Sequence, residues 1–242
     1  MYNFIYKKVS TIEEVEKLLS QSEETKILAG GQTLIPTMKQ RLASPSTLID
    51  ISGIDELNFI NDNGNSVTIG STITHHEVSS SDIIMNKIPS LASLAEGIGD
   101  PHVRNMGTIG GSIANNDPTA DYPTACLSLN AKIKTNNREI NAEDFFIGLF
   151  ETALEENEIV VSVEFNIPKK SSYMKFPNPA SRYAMAGVYV SVFDDSVNVA
   201  VTGASENGVF KWTEMEEALS INLSLENAKN IKLSSDGVMS DI

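Results

Sequence analysis

The pattern of apolar and polar positions divides the chain into three regions, and the first, residues 1–53, predicts a βα-type lobe. Apolar residues recur at helical spacing after a hydroxyl residue, Ser10 or Thr11, that precedes a glutamate by three positions, which is the spacing of a capping box. Two short apolar runs, at 26–29 and 47–51, predict buried strands on either side of a glycine-rich turn.

The middle region, residues 54–170, has the texture of an antiparallel sheet with added helices. Segments 57–60 and 66–69 flank an Asn-Gly turn, and these two residue types tolerate the positive φ angles that a tight hairpin needs. Residues 83–98 have helical spacing that a proline interrupts, whereas residues 159–165 alternate as a strand does. This region therefore predicts a second lobe.

The last region, residues 171–242, predicts a small C-terminal lobe. Segments 186–193 and 197–201 read as an antiparallel pair, and segments 213–219 and 225–229 read as short helices. Taken with the other two regions, the pattern predicts an α+β fold with mostly antiparallel sheet in the middle and last lobes.

Composition and charge narrow the functional classes. The 242 residues contain 32 acidic and 18 basic side chains, giving a formal charge of −14, so nucleic acid and anionic membranes are unfavourable partners. The single cysteine, Cys126, excludes a cysteine-ligated zinc or iron–sulfur centre carried by this chain alone. No signal-peptide core and no apolar run of about twenty residues is present, which predicts a cytoplasmic protein.

Two double-glycine segments, 29–34 (AGGQTL) and 108–112 (TIGGS), carry the clearest chemical signal. Glycine accepts positive φ and removes the Cβ that would hold a ligand away from the main chain. Consecutive amides in such a turn can form a concavity that binds an anion such as a pyrophosphate. A helix predicted over residues 35–42 would direct its N-terminus at the same ligand.

Each segment also has a structural interpretation. An ordinary glycine-bearing connection explains the first turn as well as a ligand site does. The second lies in a longer run, residues 104–121, that is rich in glycine, amides and carboxylates and poor in apolar bulk. There Asn115, Asp117 and Asp121 could bind ribose or ribityl hydroxyls, and an unusual structural turn is the alternative.

The remaining polar candidates give weaker signals. His75 and His76 are adjacent, so on a strand they would point apart, and no third metal ligand stands near them. A polar role near the ligand or at the surface remains open for both. His102 has no nucleophile partner by spacing, and Cys126 reads as a small buried residue rather than a reactive thiol. We therefore predict no catalytic residue and no metal site on this chain.

With these motifs, the chain resembles the FAD-binding medium subunit of the molybdenum hydroxylases, the family of aerobic carbon monoxide dehydrogenase and xanthine dehydrogenase. The resemblance rests on 29–36 (AGGQTLIP), 69–75 (IGSTITH), 103–112 (VRNMGTIGGS) and 117–121 (DPTAD). It implies a fold of the vanillyl-alcohol-oxidase or para-cresol-methylhydroxylase type, with FAD between the first two lobes. Family members continue beyond a segment like 237–242, so the C-terminal lobe is shorter than usual, by nature or by truncation.

The resemblance also implies which residues contact FAD. Two segments would hold the pyrophosphate, largely through backbone amides, while Asp121 and Lys175 would lie near the flavin. The residues it assigns to the cofactor are Ile27, Leu28, Ala29, Gly30, Gly31, Gln32, Thr33, Leu34, Ile98, Thr108, Ile109, Gly110, Gly111, Ser112, Asp117, Asp121, Val160 and Lys175.

As a member of this family, the chain would transfer electrons and do no substrate chemistry. A small partner subunit would carry two [2Fe–2S] clusters and a large one the molybdenum cofactor, in a dimer of heterotrimers. The acceptor would be NAD, a quinone or another compound. Two alternatives remain: a free-standing FAD-dependent oxidase or dehydrogenase of the same fold, and a non-catalytic nucleotide-binding or assembly protein.

Overall fold

Three main sheets organise the computed structural model, which describes residues 1–233. One sheet has three strands, the next has five and the last has four, and helices accompany each of them. The α+β class predicted from the sequence is confirmed. The lobe boundaries at residues 53 and 170 stay predictions, and the short C-terminal segment at 237–242 lies outside the described residues.

The N-terminal sheet is parallel, with the strand order β1-β3-β2. Its elements are β1 (Ile5–Lys8), α1 (Ile12–Leu19), β2 (Thr25–Leu28), α2 (Leu34–Lys39) and β3 (Thr47–Asp50). Parallel strands need a crossover, and α1 supplies the one between β1 and β2. The predicted cap of α1 is confirmed, since the Thr11 side chain accepts a hydrogen bond from the Glu14 amide at 3.3 Å. Val15 and Leu19 bury the inner face of the helix.

The middle sheet is antiparallel, with the strand order β4-β5-β10-β6-β7. Its region contains β4 (Ile60–Asp62), β5 (Ser66–Gly70), α3 (His75–Ser80), α4 (Asp82–Lys87), α5 (Pro89–Glu96), α6 (Pro101–Met106), α7 (Ile109–Asn115), α8 (Tyr122–Ser128), β6 (Lys132–Thr135), β7 (Glu139–Asn141), α9 (Ala142–Phe145), β8 (Phe146–Gly148), β9 (Glu151–Thr152) and β10 (Val160–Asn166). Inward-facing Ile69 and Val163 of adjacent strands belong to the main apolar core, together with Leu91 of α5 and Ile113 of α7.

The C-terminal sheet, with the strand order β11-β12-β13-β14, is antiparallel and packs between two helical layers. Its elements are β11 (Lys170–Pro177), β12 (Ala184–Val192), β13 (Val197–Thr202), β14 (Phe210–Lys211), α10 (Thr213–Ile221) and α11 (Leu225–Asn230). Met215 of α10 packs on Val199 of β13 from one side. From the other side α8 of the middle region covers β12 and β13, where Ser128 bonds Ser191 at 2.8 Å. The middle and last sheets therefore share a packed interface.

Two local expectations were wrong, each for an identifiable reason, and a third needs shorter bounds. The strand expected at His75 and His76 is the start of α3, because Thr74 and Glu77 form a capping box there. The second double-glycine segment is the first turn of α7 rather than a loop, since Thr108 caps that helix. The helix predicted over 35–42 is confirmed as α2, Leu34–Lys39, but it ends earlier, since Arg41 has φ +64°.

Within residues 1–233, no helix is both long enough and apolar enough to cross a membrane. The cytoplasmic location stays a prediction from the sequence.

An ion pair between the partly exposed Arg138 and the buried Glu158 joins the β6–β7 hairpin to the segment before β10. Arg138 donates to both carboxylate oxygens of Glu158 at 3.0 Å, and the Thr135 hydroxyl donates to the same carboxylate at 2.6 Å. The Glu158 side chain is fully buried. The Arg138 hydrogen bonds, followed by those of Thr135 and the Glu155 amide, lower the pKa of Glu158 to about 2. Removing the arginine would leave a buried carboxylate without its counterion.

We expect Arg138→Met to lower the urea midpoint of unfolding clearly, because it strands the Glu158 carboxylate. Lys132→Met is the matched control, since Lys132 and Glu139 form an exposed pair on the same hairpin and should matter little. The lowered pKa of Glu158 gives stability that is present above pH 4.5 and lost as pH falls towards about 2, so the gap between wild type and Arg138→Met should narrow there. Equal midpoints for both variants at pH 7 would contradict this account.

Candidate functional site

One large cavity lies between the N-terminal and middle lobes, with a volume of about 610 Å³. Its walls come from the β2–α2 segment of the first lobe, from α7 and β10 of the middle lobe, and from the loop at Tyr183 before β12. This volume is in the range of small-molecule and cofactor sites, which are concave and lined by apolar groups with a few placed polar ones.

The two double-glycine segments meet at this cavity. A Cβ built on Gly30 would lie 1.9 Å from the Met106 carbonyl oxygen and 2.7 Å from the Cα of Gly107, so the two backbones are in direct contact. A Cβ on Gly111 would lie 3.9 Å from the Cβ of Ala29, which shows that the segments face each other across a narrow gap. Residues about eighty positions apart thus form one wall.

The first segment presents open backbone donors. Gly31 has φ +69°, a conformation that glycine adopts without strain, and it turns the chain from β2 into α2. In the described part of the chain, the amides of Gly30, Gly31, Gln32 and Thr33 have no hydrogen-bond acceptor, although all four residues line the cavity. Such a row of unpaired amides suits an anionic oxygen-rich group.

The second segment differs, because the amides of Ile109 to Ser112 already have acceptors, and within residues 1–233 the Thr108 amide alone in this segment has none. Ile109 donates to the Ile73 carbonyl at 3.0 Å and Gly110 donates to the Ser71 carbonyl at 3.0 Å. Gly111 donates to the Thr108 hydroxyl at 3.1 Å, and the Ser112 amide donates to the Thr108 carbonyl at 3.0 Å. Four of the five amides in this segment are therefore used within the protein, and its small residues provide clearance and side-chain hydroxyls. Its assignment to the pyrophosphate stays a prediction.

Nearly all the residues assigned to the cofactor from the sequence line this cavity, and Ile109 and Lys175 are the two that do not. Ile109 is fully buried in the main apolar core, so its side chain supports the wall from behind. Lys175 reaches the site indirectly, because its Nζ lies 3.1 Å from a carboxylate oxygen of Asp121, which does line the cavity.

Asp121 is the centre of a buried polar network. Its carboxylate accepts hydrogen bonds from the Tyr173 hydroxyl and from Lys175, whose Nζ also donates to the Gly97 carbonyl at 2.8 Å. Burial raises the pKa of Asp121, while the Lys175 charge and both hydrogen bonds act in the opposite direction. Burial also raises the pKa of Tyr173, and the negative charge of Asp121 raises it further. The network holds Asp121 in a fixed orientation at the wall.

Sequence reasoning missed several wall residues. Ser71 and His75 line the cavity and belong to the segment 69–75 that carried part of the resemblance, so that segment was the available signal. Arg182 and Tyr183 reach the cavity from the loop before β12, and no local pattern marked them. Glu158 lines it as well, although the sequence around it reads only as a polar loop.

Comparisons with known proteins agree with this geometry. Residues 2–170 match the family described as "FAD binding domain in molybdopterin dehydrogenase". The chain belongs to this family. It is 38% identical over 195 residues to the glyceraldehyde dehydrogenase medium chain of Sulfolobus acidocaldarius, covering 78% of this chain and 69% of that protein. It is also 38% identical over 197 residues to the carbon monoxide dehydrogenase medium chain of Hydrogenophaga pseudoflava, covering 77% of this chain and 68% of that protein.

A solved structure extends the likeness to the whole fold of this FAD-binding chain. Carbon monoxide dehydrogenase from Hydrogenophaga pseudoflava, in a form that lacks the Mo-pyranopterin moiety of its molybdenum cofactor, matches with a TM-score of 0.84 and 32% identity. The match covers 98% of this chain and 83% of that one. The resemblance inferred from the motifs is confirmed, and the chain is an FAD-binding medium subunit of the molybdenum hydroxylase type, an oxidoreductase subunit.

The cavity fits FAD by the chemistry of its donors. The open amides of Gly30 to Thr33 match phosphate oxygens. The apolar side chains of Leu28, Ile98 and Val160 supply flat surface for ring systems. The Ser71 hydroxyl is buried at the wall without a hydrogen-bond partner in the described residues, which leaves polar capacity for a ligand.

We expect Gly110→Ala to destabilise the fold, because its Cβ would lie 2.4 Å from the Ser71 Cβ and 2.7 Å from the Ser71 carbonyl oxygen. Gly111→Ala is the matched control one residue further on: its Cβ would meet the Thr108 hydroxyl at 3.0 Å and the Ala29 Cβ at 3.9 Å, an ordinary van der Waals distance. Without added cofactor, the midpoint temperature of thermal unfolding should be clearly lower for Gly110→Ala than for wild type, and it should change little for Gly111→Ala. The reverse order would contradict the packing described here.

Burial, followed by the charge of Arg104, lowers the pKa of His75 from 6.5 to about 4. Between pH 6.5 and 4 the unfolded chain binds a proton at this histidine that the folded chain does not, so stability falls as pH falls through this window. This difference between the folded and unfolded pKa of His75 corresponds to about 3 kcal/mol in the free energy of unfolding. We therefore expect wild type to lose more stability than His75→Gln between these pH values, as measured by urea unfolding. Parallel pH profiles would contradict the lowered pKa.

Proposed function

We propose that this subunit transfers electrons within a molybdenum hydroxylase complex, taking them from [2Fe–2S] clusters of a partner and passing them to NAD, a quinone or another acceptor. The observation that carries the proposal is the cavity at which the two double-glycine segments meet, in a chain of the FAD-binding family. The single cysteine supports the division of labour, since Cys126 is buried in the apolar core and cannot supply a set of cluster ligands.

FAD supplies the redox chemistry in this proposal, because a flavin exchanges electrons singly or in pairs. The chain supplies binding and orientation. The first glycine segment, residues 29–34, offers the amides for the pyrophosphate. Asp121, held by Lys175 and Tyr173, lines the same cavity together with Tyr183, and we place the flavin end beside them.

The substrate, in this proposal, binds another polypeptide. The relatives are named medium chains or FAD-binding subunits of dehydrogenases for carbon monoxide, glyceraldehyde and xanthine, so the same kind of subunit serves different reactions. We infer that a small iron–sulfur subunit and a large molybdenum-cofactor subunit complete the complex, as a dimer of heterotrimers. The oxidised substrate would be determined by the large subunit.

The proposal is tested first by FAD binding to the purified chain. Wild type should bind FAD, seen as quenching of flavin fluorescence, and Gly111→Val should weaken binding by about tenfold or more, because its side chain enters the gap towards Ala29. Gly148→Val is the control: a Cβ there meets only Glu151 at 3.6 Å, and Gly148 is not a wall residue of the cavity. Circular dichroism checks that all three proteins are folded.

Two results would overturn the proposal. A folded wild-type chain that does not bind FAD would remove its basis. A substrate that bleaches the flavin of the isolated chain, without partner subunits, would favour a free-standing oxidase or dehydrogenase instead.

A further inference from the structure

We call the contact of Gly30 with the backbone of Met106 and Gly107 the glycine crossing. Three buried polar groups near it have no hydrogen-bond partner within residues 1–233. They are the Ser71 hydroxyl, Nδ1 of His75 and the Tyr122 hydroxyl. The residues are 2%, 5% and 0% exposed. A buried polar group without a partner costs free energy, so native proteins retain such groups where a ligand, an ordered water or a function supplies the partner. Two of the three, Ser71 and His75, are wall residues of the cavity.

His75 lies directly behind the place where the two glycine segments cross. Its Nε2 is 2.7 Å from where a Cβ of Gly107 would be, and the Cα of Gly107 is in turn 2.7 Å from the corresponding position on Gly30. The His75 amide donates to the Gly107 carbonyl at 2.9 Å, which fixes the start of α3 against the second segment. Gly107 thus lies between the imidazole and Gly30, and His75 lines the same cavity as residues 30–33.

The orientation of the ring leaves one nitrogen for a ligand. Nδ1 is enclosed, and the His75 ring packs on the Tyr122 ring with centroids 5.4 Å apart. The other ring nitrogen, Nε2, faces Gly107, and both His75 and Gly107 line the cavity. A proton on Nε2 would make it a donor and leave Nδ1 as an acceptor.

The charge around His75 favours an anion beside a neutral ring. Arg104 of α6 is the charged group that acts on His75, and its guanidinium also donates to the Ile98 and Gly99 carbonyls at 3.2 Å. Tyr122 of α8 is the titratable ring in contact with it. Burial and Arg104 lower the pKa of His75 to about 4, so the imidazole is neutral at pH 7.

We propose that His75 binds the pyrophosphate of FAD by donating a hydrogen bond from Nε2, next to the amides of residues 30–33. This inference rests on the proposed function, because it assigns a residue to the same cofactor. It adds a side-chain donor to a site whose other phosphate donors are main-chain groups. Since His75 is uncharged, it contributes direction rather than net charge, as a backbone amide does.

Three variants separate this role from a structural one. His75→Phe keeps a planar ring and removes the donor, whereas His75→Gln places an amide N–H near the position of Nε2. His76→Phe is the matched control, since His76 is the next residue of α3 and is exposed. We expect His75→Phe to weaken binding of both FAD and ADP by about tenfold, and His75→Gln and His76→Phe to stay within about threefold of wild type. ADP carries the pyrophosphate without the flavin. Equal losses of affinity for FAD and ADP would therefore place the His75 contact on the ADP part of the cofactor and not on the flavin.

The imidazole itself gives a second measurement that needs no variant to fold. In ¹H–¹⁵N spectra of the wild type at pH 7, the Nε2 resonance of His75 should shift when ADP or FAD is added. Wild-type FAD binding with no shift at Nε2 and unchanged affinity in His75→Phe would overturn the inference and leave the proposed function intact. Absence of FAD binding by the folded wild type would overturn both.

Discussion

The close approach of main chain to main chain at the glycine crossing is the constraint on which the site depends. Gly30 lies against the Met106 carbonyl at a distance that no side chain could share, and Gly110 lies in the same way against Ser71. The Gly30 contact joins the N-terminal lobe to the end of α6 in the middle lobe, and the Gly110 contact fixes α7 against the end of β5. Because the two lobes meet at backbone distance along this line, the space beside it is a walled cavity rather than an open groove.

The two glycine segments have similar sequences but different structural roles. In the first, residues 29–34, the glycines turn the chain and leave amides unpaired towards the cavity. In the second, the amides of Ile109 and Gly110 are bonded to carbonyls of the segment after β5, so its glycines serve packing. The sequence could not distinguish these roles, because the acceptors, Ile73 and Ser71, lie almost forty residues earlier in the chain.

Local signals predicted the fold well wherever the cause was local. The cap of α1 at Thr11, the hairpin β4–β5 and the interruption of the helix before Pro89 all follow from neighbouring residues. His75 is an exception with a local cause. Two adjacent polar residues after a strand predict an extended segment, but Thr74 and Glu77 form a capping box that starts α3 there. The contacts of Asp121 with Tyr173 and Lys175 could not be predicted from local sequence, because these residues are 52 and 54 positions away from it.

The charges of the cavity explain why a strongly acidic chain can bind an anionic cofactor. Two buried carboxylates in the wall, Asp121 and Glu158, are paired with Lys175 and Arg138, so their charge is largely compensated within the protein. Had free lysines bound the phosphates, the same wall would have offered them competing carboxylate partners. Open amides cannot be neutralised in that way, because they carry no net charge to pair. A cradle of neutral donors therefore fits the proposed pyrophosphate site without competing with the paired carboxylates of the same wall.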